Sequence, residues 1–400
     1  MDVVEERAIG LDAAEKRIDR FLEQQGLVCQ LESHGGAYGV CFARLYDSEV
    51  QISTGAGKGD LVSARVGAKY EAVEHWLTEY DAHVQSKLLP VNRVLAYGGR
   101  GDVPLSLLRA QSDTRLLCRS FIDILDGATF FSPLMLFVPG YDKAVVSGDS
   151  CDYRGLRRYA SNSGTAIGAN SDEAMLHALN ECVERDALSQ FLLRYFYYER
   201  DDPLRRVDPA CLGAREYSLY EYLESTFSTE VVLLEISTEF CVTTCLAFFK
   251  GRYDGPHIYG VGASINPWHA AYRALAELLQ LHHVHELGLV RSDSIKAMSA
   301  LERYPALHRA LMFDIRTLTS IPTREIKLEC IDAGGLARQV DCIARSLATH
   351  GFKAGACMLR DGDVALVCVA VQGFERFFIV GSGNVVLPGY RGQRLKGLAE

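Results

Sequence analysis

Apolar and polar positions recur along this chain in two periods, one helical and one extended. From Ala13 to Gln25, Ile18, Phe21 and Leu22 share one face with charges opposite, which predicts an amphipathic helix. A strand-like stretch, Tyr38 to Ile52, runs into STGAGKGD (Ser53–Asp60), read as a glycine-rich turn. A helix is expected from about Leu61 to Leu88, then short strands over 89–150 broken by turns such as Tyr97–Asp102 and Pro139–Asp142. SNSGTAIGANSDEA (Ser161–Ala174) leads into a long helix reaching about Tyr198, with Ser171 or Asp172 as N-cap. Val231–Ser237, Cys245–Lys250 and His257–Ser264 read as buried strands, and Asn266 and Pro267 open a helix to about His285. The C-terminal part predicts strand Glu325–Ile331, helix Gly335–His350 and strands Ala356–Leu359, Val364–Val371 and Arg376–Val380. No linker or low-complexity stretch divides the chain.

Three of these helices share a frame. The first reads Ala64-x3-Ala68-x2-Glu71-x2-Glu74, the second Ala174-x3-Ala178-x2-Glu181-x2-Glu184, the third Ala270-x3-Ala274-x2-Glu277-x2-Gln280. Each follows a glycine-bearing segment: Gly55/Gly57/Gly59, Gly164/Gly168 and Gly260/Gly262. Residues three, four and seven apart share a helix face, so the alanines and the acidic or amide positions form one stripe. Small alanines let helices approach closely. Carboxylates at 71, 74, 181, 184 and 277 then converge where burial and mutual repulsion disfavour their charge. Mg²⁺, a hard cation that binds carboxylates together with substrate phosphates, relieves both costs. Arg185 and Arg273 lie beside these positions and suit phosphate oxygens. These features predict an ATP- and Mg²⁺-dependent enzyme. The segment around Lys58 is not a P-loop: Ile52 stands where the first glycine belongs, and Gly59 where Ser or Thr belongs. Its backbone N–H groups are nonetheless expected to face phosphate.

Composition narrows the class without changing this picture. The 400 residues carry 48% hydrophobic and 23% charged positions and a net charge of -9. No basic stripe appears, which argues against nucleic acid as a partner. The longest apolar run, Val364 to Val371, is too short to span a bilayer. The charged N-terminus MDVVEERAIG and twelve scattered cysteines without a CxxC pair read as a reduced cytoplasmic protein. Cys118, Cys151, Cys182, Cys241 and Cys245 are candidates for a sulfur relay, but a small buried apolar role outweighs this for any one of them. Cys182 lies between two expected ligands yet faces away by helical phase. His282, His283 and His285 lack the HExxH order and read as a polar helix end. His177, four residues before Glu181, either orients that carboxylate or packs.

The central run SNSGTAIGANSDEAMLHALNECVERDA (161–187), STGAGKGD with EAVE (71–74), and RALAELLQ (273–280) together resemble the YcaO family. VQGFERFFIVGSGN (371–384) resembles that family's closing strands, and GLDAAEKRIDRFLEQQG (10–26) its leading helix. The likeness covers nearly the whole chain. It implies an α/β fold of mixed β-sheets flanked by helices, with the ATP site between three ExxE/ExxQ helices. One domain over 1–400 is expected: 1–60 as N-terminal helix and strands, 61–290 as ATP-binding core and 291–400 as C-terminal region. By the resemblance, Glu71, Glu74, Glu181, Glu184 and Glu277 would hold Mg²⁺. Ser161, Ser163, Glu173, Arg185 and Arg273 would hold or orient the nucleotide, with Lys58, Lys16 and Arg17 bordering it. Arg185, Arg273 and Glu277 would serve the reaction directly.

The resemblance further implies ATP-driven activation of an amide oxygen, which a nucleophile then replaces. Ala166 and Ala169 stand where the family often has Ser and Asn, and the chain ends GYRGQRLKGLAE, without the proline-rich tail of azoline-forming members. The first expectation is therefore sulfur substitution giving a thioamide-type product on a peptide or small amide-bearing substrate, with a partner delivering sulfur. The alternatives are the catalytic subunit of an azoline-forming cyclodehydratase, working with a leader-binding partner, and a non-catalytic nucleotide-binding scaffold. A homodimer is one expected assembly.

Overall fold

The computed structural model describes residues 6–96, 101–251, 253, 255–289 and 291–397. Helix α1 (Leu11–Gln25) buries Ile18, Phe21 and Leu22 as their spacing requires and ends at left-handed Gly26. Strands β1 (Leu27–Gly35), β2 (Tyr38–Asp47) and β3 (Val50–Asp60) form an antiparallel meander. STGAGKGD is thus strand, not turn: Gly55 lies opposite Ala43 and Gly57 opposite Cys41. The segment is extended and paired along β2, which corrects the expected turn.

Helix α2 (Leu61–Tyr80) starts at Asp60, whose carboxylate accepts from the Val62 and Ser63 N–H groups. It stops at Tyr80 rather than Leu88, because Ser86–Pro90 becomes β4 and pairs with β5 (Arg115–Asp123). Between them lie short helices α3 (Val91–Leu95) and α4 (Val103–Ser106). Of the turn expected at Tyr97–Asp102, residues 97–100 lie outside the described residues. Strands β6 (Thr129–Pro133) and β7 (Thr165–Gly168) precede α5 (Ser171–Leu192). Asn170, not Ser171 or Asp172, caps α5 by accepting from Glu173 N. A π-helical turn, Leu193–Tyr197, carries the helix to the expected end.

Next come β8 (Leu204–Val207), α6 (Ala214–Phe227), β9 (Val231–Glu235), β10 (Thr243–Phe249), β11 (Tyr259–Ser264) and α7 (Pro267–Glu286), the last capped by Asn266. Helices α8 (Arg291–Leu301), α9 (Pro305–Met312) and α10 (Ile315–Thr319) lead to β12 (Thr323–Ile326), which ends before the expected Ile331. Then follow α11 (Leu336–Thr349), β13 (Ala354–Arg360), β14 (Ala365–Val371) and α12 (Tyr390–Gly397). Phe377–Ser382 is a 3-10 turn where a strand was expected. Phe377, Ile379 and Val380 are all buried, and Phe378 N donates to Ser189 Oγ rather than to a neighbouring strand.

The strands form three sheets: β1-β2-β3; β4-β5-β13-β14-β7 with β6 on β5; and β11-β10-β9-β8-β12. Each sheet carries one frame helix, α2 on β3, α5 on β14 and β7, and α7 on β11. The glycine–alanine frame makes this seating possible. A Cβ on Gly57 would lie 1.8 Å from Ala64 O, and one on Gly260 would lie 2.2 Å from Ala274 O. Only glycine opposite alanine lets strand and helix backbones approach so closely. The alanines therefore face their own sheet, which leaves the carboxylates free to turn elsewhere. Each helix also touches the edge strand of the next sheet: α2 meets β7, α5 meets β11 and α7 meets β3. Among the described residues, no helix is long and apolar enough to cross a membrane.

Candidate active site

This cyclic seating turns the acidic ends of all three frames into one cleft of about 560 Å³. Glu71, Glu74, Glu181, Glu184, Glu277, Lys58, Ser163, Glu173, Arg185 and Arg273 all line it, so ten of the residues expected from sequence come together. The last position of each frame faces the next unit. Glu74 Oε2 accepts from Ile167 N of β7 at 2.9 Å. Gln280 Nε2 donates to Ala56 O of β3 at 2.7 Å. The odd amide is thereby explained. Its neighbour on β3 is a carbonyl, which a carboxylate would repel and an amide satisfies.

The charges are only partly matched. Arg185 lies 3.5 Å from both Glu181 and Glu184, Arg273 3.8 Å from Glu184, and Lys58 3.5 Å from Glu277. Glu184 Oε2, Arg185 Nε and Arg273 Nε are buried with no hydrogen-bond partner. Burial, with Glu277 adding, pushes Glu184 up to about 7 against the pull of Arg185. Burial and the Glu181 and Glu71 carboxylates push Glu74 well above its ordinary range. Burial likewise raises Glu71. Burial opposes the charge on Arg185, yet Glu184, Glu181 and Glu277 hold its pKa above the ordinary value. Each orphaned polar atom costs on the order of 1–3 kcal/mol, so the cleft is incomplete by itself.

The residues fit the groups the sequence implies. An anion supplies acceptors for the arginine N–H groups, and a divalent cation replaces the protons that burial forces onto the carboxylates. Among the described residues, no three His, Cys, Asp or Glu side chains already gather as a closed cation cage.

Three expected contacts do not line the cleft. Lys16 is exposed on α1. Arg17 Nη1 donates to Ala169 O at the start of α5. Ser161 sits behind Ser163, 2.8 Å from its hydroxyl, and so braces a lining residue. His177 does not orient Glu181; its Nε2 lies 3.2 Å from Glu6 O, and burial with Arg7 and Arg273 nearby holds it far below its ordinary pKa. Cys182 Sγ faces Val369 O, away from the cleft as helical phase requires. His282 pairs with Tyr253 and Glu286 at the end of α7.

Sequence periodicity could not reveal the N-terminal strap. Arg7 lines the cleft and holds Glu173 at 2.8 Å. Glu6 is buried behind it: Oε1 accepts from Asn180 Nδ2 and Ser264 Oγ, and Oε2 lies 3.6 Å from His269 Nε2 and 3.8 Å from Arg273 Nη1. Arg215, stacked 3.6 Å over the Tyr272 ring, is a further unforeseen lining residue. These segments join from distant parts of the chain, and no local pattern marks them.

Residues 56–375 match the family described as YcaO cyclodehydratase, ATP- and Mg²⁺-binding. An uncharacterized protein of Rhizobium leguminosarum bv. trifolii, from the tfuA 3′ region, is 27% identical over 203 residues, 48% of this chain and 45% of its own. The chain spans about half the length of the curated relatives it matches. The structure of YcaO from Methanopyrus kandleri bound with AMPPCP and Mg²⁺ is 21% identical, with 96% of each chain covered and a TM-score of 0.65. A heterocyclase in complex with substrate and cofactor is 14% identical, covering 94% of this chain and 55% of its own at a TM-score of 0.68. These solved structures share the mixed α/β fold. With the family match extending from β3 to just past β14, the chain belongs to the YcaO family of ATP- and Mg²⁺-binding cyclodehydratases.

Proposed function

We propose that this protein uses Mg-ATP to activate an amide oxygen and replaces that oxygen with sulfur, giving a thioamide-type product. The observation that carries ATP-dependent activation is the incomplete cleft: five carboxylates around two arginines, with Glu184 Oε2, Arg185 Nε and Arg273 Nε lacking hydrogen-bond partners. Bound ATP supplies the phosphoryl group that turns a poor leaving oxygen into a good one, and Mg²⁺ offsets the phosphate charge. Glu71, Glu74, Glu181, Glu184 and Glu277 would hold the ion. Arg185 and Arg273 would meet phosphate oxygens, with Lys58 beside Glu277. Ser163 offers a hydroxyl to the nucleotide, and Glu173 fixes Arg7 at the rim.

Helix α12 is tied through Arg391 to Asp186 of α5, the residue after Arg185. The first partner to test is the product of a tfuA-type gene, because the Rhizobium relative is encoded beside one. The second reading, azoline formation on a peptide, is favoured by the family's description as cyclodehydratases.

One experiment separates the two. Purified protein with Mg-ATP is offered a Cys- and Ser-containing precursor peptide and, separately, sulfide with an amide substrate. Exchange of one oxygen for one sulfur by mass spectrometry supports thioamide formation. Loss of one water per ring transfers the function to the second reading. Absence of ATP binding by calorimetry refutes both.

A further inference from the structure

Cys241 and Cys342 are 101 positions apart, one preceding β10 and the other on α11, yet their sulfurs are 3.8 Å apart. Both residues are exposed. The seam around them holds this spacing. Cys241 N donates to Ser346 Oγ, one turn along α11, at 3.0 Å. Phe240 packs against Phe352, Phe374 and His350 with ring centroids 5.4–5.5 Å away. Glu239, one residue earlier, is held by Arg391 through two hydrogen bonds. Three consecutive residues are therefore anchored, and the Cys241 thiol has little freedom to leave its partner. Closure to a disulfide requires the sulfurs to approach to about 2.0 Å.

We propose that Cys241 and Cys342 form an oxidisable dithiol, a modification site that takes a low-molecular-weight disulfide such as oxidised glutathione as its reactant. Desolvation raises the Cys241 thiol, and its segment is anchored at Glu239, Phe240 and the Ser346 hydroxyl, so Cys342 on α11 is the thiol that attacks first. The Cys342 thiolate breaks the glutathione disulfide, forms a mixed disulfide and releases one glutathione thiolate. Cys241 then loses its proton to that thiolate and attacks the Cys342 sulfur, which expels the second glutathione. Two protein thiols are oxidised and one glutathione disulfide is reduced to two thiols. The second step is intramolecular between anchored sulfurs, so high effective concentration makes it outrun release of the adduct. The product ties the segment before β10 to α11. The first of these carries Glu239, whose partner Arg391 also holds Asp186, the residue after Arg185.

The test uses the full-length protein, treated with oxidised glutathione at neutral pH and read by intact mass and non-reducing peptide mapping. We expect loss of two hydrogens and a Cys241–Cys342 cross-linked peptide. Cys330 is also exposed, so its modification serves as an internal control for the reagent. Cys241→Ser should trap the adduct on Cys342, and Cys342→Ser should abolish reaction at Cys241. Both substitutions are at exposed positions and leave the fold intact. Stable glutathione on both cysteines without a cross-link, a cross-link joining other cysteines, or an unreacted pair beside a modified Cys330 overturns the proposal.

Discussion

Helix α5 carries two buried charge clusters back to back, and they are built to opposite standards. At Glu184 and Arg185 the ion pairs are 3.5 Å long and polar atoms are left unpartnered. One residue later, Asp186 accepts from Glu375 N at 2.9 Å, Gln190 Nε2 at 2.7 Å and Arg391 Nη2 at 2.9 Å. Glu375 in turn accepts from Gly389 N and Gly392 N, which pins the start of α12. The second cluster completes its carboxylates within the chain, as a structural clamp must. The first leaves work for a ligand. Arg391 Nε, like Nε of Arg185 and Arg273, is buried without a hydrogen-bond partner, so it is the hydrogen bonding of the carboxylates, complete at Asp186 and Glu375 and incomplete at Glu184, that separates the clamp from the site.

The clamp is where substitution should cost most stability. Arg391→Met strips the cation from fully buried Asp186 and should destabilise the protein by about 3–5 kcal/mol. Chemical denaturation measures it, and a loss within error would mean the clamp is not structural. The opposite pattern is expected at the cleft. Arg185→Met should lower ATP turnover by roughly 10²–10³-fold. Thermal stability should fall less than at the clamp, because the pairs that Arg185 makes are long and Glu184, raised to about 7, takes up a proton when its cation is lost. Unchanged turnover would remove Arg185 from the site.

A smaller effect concerns pH. Burial pushes Glu375 up to about 7, against the two glycine N–H groups that hold its charged form. The folded state therefore binds this proton more tightly than the unfolded chain does. The resulting stability is complete below about 4.5 and is lost as pH rises through about 7. Glu375→Gln keeps a neutral side chain, so its stability relative to wild type should improve by about 2 kcal/mol between pH 5 and 8. Parallel pH profiles for the two proteins would break the assignment.

The distinction between clamp and cleft was only half visible in the sequence. Glu184 and Asp186 look alike in a helix read one residue at a time. The frame of alanines marks Glu181 and Glu184 because spacing on a helix is a local property. What completes Asp186 comes from residues 375 and 391, and nothing local names them. The same holds for STGAGKGD, whose glycines suggest a turn. They serve instead to admit α2, and that need arises only once strand and helix are packed.

The sequence by itself determined the three helices, the opening of the third at Asn266 and Pro267, the stripe of small residues and the identity of the clustered carboxylates. Those follow from periodicity and from side-chain chemistry within a few residues. Tertiary structure alone decided that α2, α5 and α7 each lean on the next sheet, so that their acidic ends face one another. It also decided that Gln280 meets a carbonyl where Glu74 meets an N–H, that Arg7 lines the cleft with Glu6 buried beside Arg273, and that Lys16 stays outside it. The reason is physical: a helix face is encoded within a turn, whereas the partner of a buried charge is chosen by packing across hundreds of residues.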